Sequence, residues 1–599
     1  MNNRILYFIV CCITLSFLSA QVTVSGSANI RYGEDKTGFI YSEKFFDTQM
    51  QIGPLTTWFQ WEFSNPPEVG LPHAGLRKFR FEYESDRTMI KYGDLYEFWG
   101  RGLVLNQFEN QQIDIDNSVT GLFLSSHLKE RWVLDIISGQ GKLWYQDERV
   151  NNPPYDERRP NYRREHRVIG SRLHYQGDRF DMGATYLQSR ERHPYPSGTP
   201  LGSEMDTLAL KHRLNSLYAN LYLPFMDVSL EYAETRTAEF IPDRVALFPR
   251  GRGQSFYGSV NAYLPLLTVF FDYKRYGFDS RIPDEGSPAY YYTGALGFQS
   301  PPIVIKEHTS QLLNRITHVT DIDNEVGYQV EISGPITSDL VANLNFSRAS
   351  MINRWQQERL QPFGWEWKKN GSAIFWPVQD KSAKPFGEIY AEIEGYISDP
   401  VHVKMGAAYT EDIPEFIGYS ITDTTRDLNY VTLKAHTYPL ALDISFADHW
   451  NLEVKYERQI LEKMRRSSVS ILMPDTIQLI DNSFSLFENG GAQDGWILSL
   501  GIGRSPQWSL NILIDAISTR EFGTYEDFQF ENPMEKIFAR FMEIENKWIS
   551  LEFSVNLTER TRFQVAYGSL QGGIVCTNGI CRFIEPFNDG FQLSLVSLF

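Results

Sequence analysis

Apolar and polar side chains alternate with a period of two through most of the chain, and that spacing predicts strands. Val22, Val24, Gly26, Ala28, Ile30 and Tyr32 alternate with Thr23, Ser25, Ser27, Asn29 and Arg31. Near the other end, Ile549, Leu551, Phe553, Val555 and Leu557 alternate with Ser550, Glu552, Ser554 and Asn556. Phe256 to Leu264 and Trp508 to Ile514 repeat the pattern. One face is apolar or aromatic and the other carries charges and amides, as a wall between lipid and a wet interior requires. A soluble sandwich buries one face too and gives the same alternation, so the connections must decide.

Those connections fall into two classes. Short turns sit at Gly53-Pro54, Ser85-Asp86, Gly177-Asp178, Pro265-Leu266, Ser398-Asp399, Ser505-Pro506 and Thr558-Glu559. Long polar stretches lie between them, at about 97–118, 140–164, 190–204, 238–252, 277–323, 349–383, 411–425, 463–492, 518–546 and 572–589. Short turns on one side and long loops on the other match the periplasmic and extracellular ends of an outer-membrane barrel. Keeping the two classes in phase requires single long strands over 205–223 and 428–446. The predicted fold is therefore an all-β, antiparallel up-and-down transmembrane barrel of about 24 strands (22 to 26), occupying 21–599 as one domain. So wide a lumen would leak if left open, and the long loops are expected to fold inward and partly fill it. The first strand starts at Val22, which argues against the N-terminal plug domain of energised uptake receptors.

The chain ends agree with export. Arg4, the apolar run Ile5 to Phe17 and the small residues before Gln21 read as a signal peptide over 1–20. In the last strand, Phe591, Leu593, Leu595 and Phe599 share a face and resemble the C-terminal signal read by the barrel-assembly machinery. Ser597, on the same face, departs from that pattern. Mean hydropathy is −0.34, a value that suits strands exposing only alternate residues to lipid. The net charge of −17 excludes a general nucleic-acid binder. Expected partners are outer-membrane lipid, lipopolysaccharide and the assembly machinery; no cofactor is expected. After signal removal only Cys576 and Cys581 remain. They flank an Asn-Gly suited to a tight turn, so a disulfide is expected, with a two-Cys metal site as the rival.

Three stretches carry a resemblance: Tyr92 to Leu105 running on to Asp116-Asn117, Pro301 to Thr309 with Leu312 to Arg315 and Glu325 to Tyr328, and Cys576 to Phe583. They resemble a Bacteroidota-type outer-membrane family classed as a domain of unknown function. The resemblance implies outer-membrane location and adds no activity.

Candidate chemistry gathers in the same stretches. Asp94, Glu97, Arg101, Asp114 and Asp116 suit a constriction or ligand site, or a salt-bridged seal. Glycines 93, 100 and 102 would let that backbone approach the wall closely. Asp114 to Asn117 lacks the Gly and the distal Glu of a calcium loop. Glu307, His308, Asn314, Arg315 and His318 could serve acid–base or metal chemistry, or form a buried polar network. No Gly-x-Ser-x-Gly elbow occurs. Arg158, Arg159, Arg163, Arg164 and Arg167 form the densest basic run, and Trp365, Trp367, Phe375 and Trp376 an aromatic loop. Three functions follow: a channel or gated pore for small solutes, an occluded barrel that docks another envelope protein, and a barrel-embedded hydrolase. The expectation is that the chain is not an enzyme.

Overall fold

A computed structural model describes residues 22–145, 159–160, 162–196, 205–240, 247–278, 296–359, 365–370, 374–421, 426–447, 449–472, 477–481, 483–519, 546–577 and 580–599. The expected signal over 1–20 and Arg158 lie outside the described residues.

Alternation along each segment translates into a closed wall of 24 antiparallel strands. Val22–Glu34 pairs with Ile40–Ile52, and each later wall strand pairs with its predecessor. Phe587–Leu598 then pairs back onto Val22–Glu34 and closes the ring, leaving no open edge. The seam is tight. Gly26 and Phe599 exchange backbone hydrogen bonds at 2.9 and 3.0 Å, and a Cβ on Gly26 would fall 2.5 Å from the Phe599 ring. Met205–Leu223 and Arg426–Ala447 are single strands, as the phase of turns and loops demands.

The two faces differ as a lipid–lumen wall should. In Phe180–Pro196, Thr185, Ser189 and Glu191 are buried facing inward, whereas Met182, Tyr186 and Arg190 are exposed outward. Aromatic side chains ring the short-turn end: Trp132 packs on Tyr175 at 5.4 Å, Tyr175 on Phe180 at 5.2 Å and Trp450 on Trp508 at 5.5 Å. Such a girdle marks a membrane interface. The protein is an outer-membrane barrel. Among the described residues, no helix is long and apolar enough to cross a membrane.

Strands outrun the expected loops at the opposite end. A connection predicted over 411–425 is strand as far as Ile421, resuming at Arg426. Beyond the lipid both faces meet water, so apolar alternation stops while the backbone ladder continues. The hydropathy pattern locates the lipid edge rather than the strand end. Paired strands also occupy parts of the longer loops: Arg354–Arg359 with Trp365–Asn370, Ser468–Leu472 with Ile477–Asp481, and Gly573–Thr577 with Ile580–Ile584.

Candidate functional site in the barrel lumen

Two long connections turn inward: 96–118, and the described part of the second, 296–324. The first makes a small hairpin, Phe98–Trp99 with Leu105–Asn106, followed by Glu109–Asn110 paired with Ile115–Asp116. Its tip needs glycine. Gly100 has φ 62°, and a Cβ there would lie 2.7 Å from the Glu231 carboxylate of the wall. That carboxylate instead accepts the Arg101 backbone N–H at 2.5 Å. The Arg101 guanidinium continues to Ser229 and to Asn220 at 3.3 Å, near the short-turn end of the wall.

The lumen filling has two chemically distinct halves. Trp99, Leu103, Val104 and Leu105 from the first segment join Leu296, Phe298 and Val304 from the second, all essentially buried. They pack against Phe123, Ile137, Val168, Leu187 and Leu214 of successive strands, forming an apolar core inside the barrel. Backbone and amide bonds lace the two segments: Asn106 N–H donates to Phe298 O at 3.0 Å, and Gln299 Nε2 to Leu103 O at 2.6 Å.

The second half is ionic. His308 Nε2 lies 2.7 Å from Glu388. Glu457 accepts from Ser310 Oγ at 2.7 Å and from the backbone of Gln311 and Leu312, at the start of the short helix Gln311–Asn314. Arg315 forks onto Asp515, with Nη1 at 3.1 Å. His318 sits between Asp412 at 3.1 Å and Glu325 at 3.3 Å, its ring stacked on Phe386. Lys274 closes the set, 2.6 Å from Glu325 and donating to Thr320 at 3.0 Å. Burial alone would lower the His318 pKa, yet the flanking carboxylates hold it up at about 10. His318 is therefore a cation at neutral pH.

The structure distributes the sequence candidates unevenly. His308, Arg315 and His318 converge on wall carboxylates; Glu307 is exposed, and the Asn314 side-chain amide donates back to His308 O at 2.9 Å. Glu307 and His308 thus form no acid–base pair. Asp94 laces the wall, accepting from Phe79 N–H at 2.8 Å and Thr120 Oγ1 at 2.7 Å. Glu97 pairs with Lys91 at 2.8 Å, and Asp116 with Lys78 at 3.0 Å. Asp114 lies 3.7 Å from Arg77. Among the described residues no group of three or more His, Cys, Asp or Glu has metal-binding geometry.

Sequence reasoning missed the wall partners Glu231, Glu388, Asp412, Glu457 and Asp515. For Glu231, Glu388, Glu457 and Asp515 a signal was available, a carboxylate at an inward position of an alternating strand; Asp412 fell within the connection predicted over 411–425. The hairpin Gly573–Thr577/Ile580–Ile584 also comes against helix Gln311–Asn314 and the 3-10 turn Gln111–Ile113. All three stretches singled out in the sequence therefore meet. Cys576 stands directly opposite Cys581 in that hairpin's register; their side chains lie outside the described residues, as do those of Trp365 and Trp367. Phe375 and Trp376 lie on the outer wall, where Trp376 packs on Tyr273 at 5.3 Å. Phe591, Leu593 and Leu595 lie in the closing strand, paired with Glu34, Tyr32 and Ile30.

Wall, girdle and infolded segments together define a loop-filled outer-membrane β-barrel. The chain belongs to the family of unknown function DUF6029, whose model matches residues 28–413. That span contains the first two of the three stretches and excludes the cysteine hairpin. No curated protein matches the chain. Similar solved structures include a mutant ferric enterobactin receptor (PfeA) from Pseudomonas aeruginosa, with TM-score 0.47, 10% identity and coverage of 97% of this chain and 81% of that one. The copper transporter OprC gives 0.46, 9%, 97% and 80%. The siderophore receptor PirA from Pseudomonas aeruginosa gives 0.45, 8%, 96% and 80%.

Proposed function

We propose that this protein is a gated channel for small solutes, held closed by its own infolded segments, with residues 301–318 as the gate. One observation carries the reading. Beside the buried Val304, Ile305, Leu312 and Leu313, the gate candidate is held to four separate wall strands by charge-assisted contacts at Glu388, Asp412, Glu457 and Asp515. Ionic contacts have alternative partners in water and in charged ligands, so they can exchange without exposing apolar surface. A 24-stranded wall also encloses more space than an anchor needs. The proposal gives the chain no catalytic role.

Single-channel conductance of the refolded full-length barrel in a planar bilayer tests this reading, with folding verified by heat-modifiable gel mobility. Deleting 301–318 should convert a mostly silent bilayer into stable conductance steps, and D515N should increase brief openings. Silence in every folded variant would sink the channel.

A second reading, an occluded barrel that docks another envelope protein, draws on the apolar half of the filling, which resembles a permanent core.

A further inference from the structure

The outer wall carries an arc of cations that the lumen does not use. Arg167, Arg190 and Lys211 lie directly opposite one another on three successive strands, Tyr162–Gln176, Phe180–Pro196 and Met205–Leu223. Two positions along, Arg213, Arg236 and Arg252 form a second cross-strand row through Met226–Phe240 to Leu247–Tyr263. All six sit at outward positions, since their strand neighbours His166, Ser189, His212, Thr235 and Gly253 are the buried ones. Like charges directly opposite in a sheet repel. Among the described residues two outward carboxylates lie nearby and are already engaged: Glu165 by Arg163 at 2.6 Å, and Glu234 by Arg236 at 3.1 Å and by Arg252. Arg167, Arg190, Lys211 and Arg213 pair with no carboxylate among the described residues.

The height of the arc matters as much as its sign. Arg190 lies ten positions beyond Phe180 and Arg236 ten beyond Met226, both counted from the short-turn end. A tilted strand crosses the hydrocarbon in about 9–11 residues, which places the arc at the outer-leaflet boundary. Toward the membrane centre, past the polar outward positions Gln188, Asn215 and Glu234, the same face turns apolar, with Ile169 57%, Leu217 65% and Tyr232 41% exposed. A band of fixed cations above a lipid-facing apolar wall complements a molecule with phosphates on its headgroup and several acyl chains below.

We propose that this arc binds the phosphate groups of an acylated, phosphorylated glycolipid of the outer leaflet, with lipid A as its chemical type. The assignment rests on the barrel's orientation in the outer membrane and not on whether the lumen opens. The external anion removes the repulsion within both rows, and the apolar strip below receives the acyl chains. The protein's net charge of −17 makes a general attraction to anionic lipid the wrong explanation, so binding should be local to these strands.

The test titrates bis-phosphorylated lipid A into the detergent-solubilised full-length protein and reads the bound fraction by native mass spectrometry. The triple variant R167Q, R190Q and K211Q should bind on the order of a hundredfold more weakly, by the usual contribution of a surface cation facing anionic lipid. R458Q, an outward arginine already paired with Asp494 at 2.8 Å, should bind as the parent does. Phosphate-free lipid A should bind as weakly to the parent as the phosphorylated lipid binds to the triple variant. Parent-like affinity in the folded triple variant would overturn the site. Equal affinity for phosphate-free lipid would overturn the phosphate assignment. Complete displacement by inorganic phosphate alone would make it a free-anion site and overturn the lipid.

Discussion

The apolar and ionic halves of the lumen filling occupy one barrel and are held by opposite physics. Around Trp99 and Phe298, side chains from two loops and many strands exclude water, and no single contact sets the geometry. Around His308, Arg315 and His318, each residue has a specific carboxylate on a different strand. The first arrangement can be undone only by exposing apolar surface. The ion pairs of the second can be undone by exchanging one charged partner for another, leaving the smaller apolar contacts of Ile305 and Leu313. The same difference separates a permanent seal from a latch, which is why the gate is assigned to the ionic half.

Trp99→Ala attacks the apolar half and should have the largest effect. It empties a fully buried site and should cost about 3–5 kcal/mol in urea unfolding. If the halves are distinct, it should leave the bilayer silent. Large stable conductance from this variant would make the apolar half the gate.

His318 sharpens the comparison through pH. Its folded pKa is raised, so its contribution is fully present below about pH 6.5 and lost as pH rises through its folded value of about 10. The parent should therefore lose a few kcal/mol relative to His318→Gln between about pH 6 and pH 11, and the His318 contacts should not respond to acidification near neutrality. Equal pH profiles for the two proteins would remove His318 from the latch.

The cysteine hairpin should give the smallest effect. Cys576 and Cys581 are opposite in register, and a disulfide closing so short a loop contributes about 2 kcal/mol. Thiol counting before and after reduction checks the bond. Two free thiols in the unreduced exported protein would remove it.

Much of the architecture was legible because barrel strands obey a local rule. Residue i and residue i+2 of Phe256 to Leu264 or Ile549 to Leu557 share a solvent, lipid or water, whatever their neighbours do. Turn spacing then set the strand number and the single long strands at 205–223 and 428–446. The strand overrun at Ile421 escaped this reading because the rule ends where lipid ends.

The lumen obeys no such rule. His308, Arg315 and His318 were visible as polar residues in one stretch, but nothing local separates them from Glu307 and Asn314, which meet no wall carboxylate among the described residues. Their partners Glu388, Asp412 and Asp515 lie up to 200 residues away along the chain. The cation arc is similar: Arg158 to Arg167 stand out as a run, yet Arg190, Lys211, Arg213, Arg236 and Arg252 join Arg167 only through cross-strand register. Sequence alone determined the closed wall, its inner and outer faces and its location, because each depends on the solvent at single positions. Tertiary structure decided which polar residues meet in the lumen and on the outer surface, because those contacts depend on closing a ring whose neighbours are far apart in the chain.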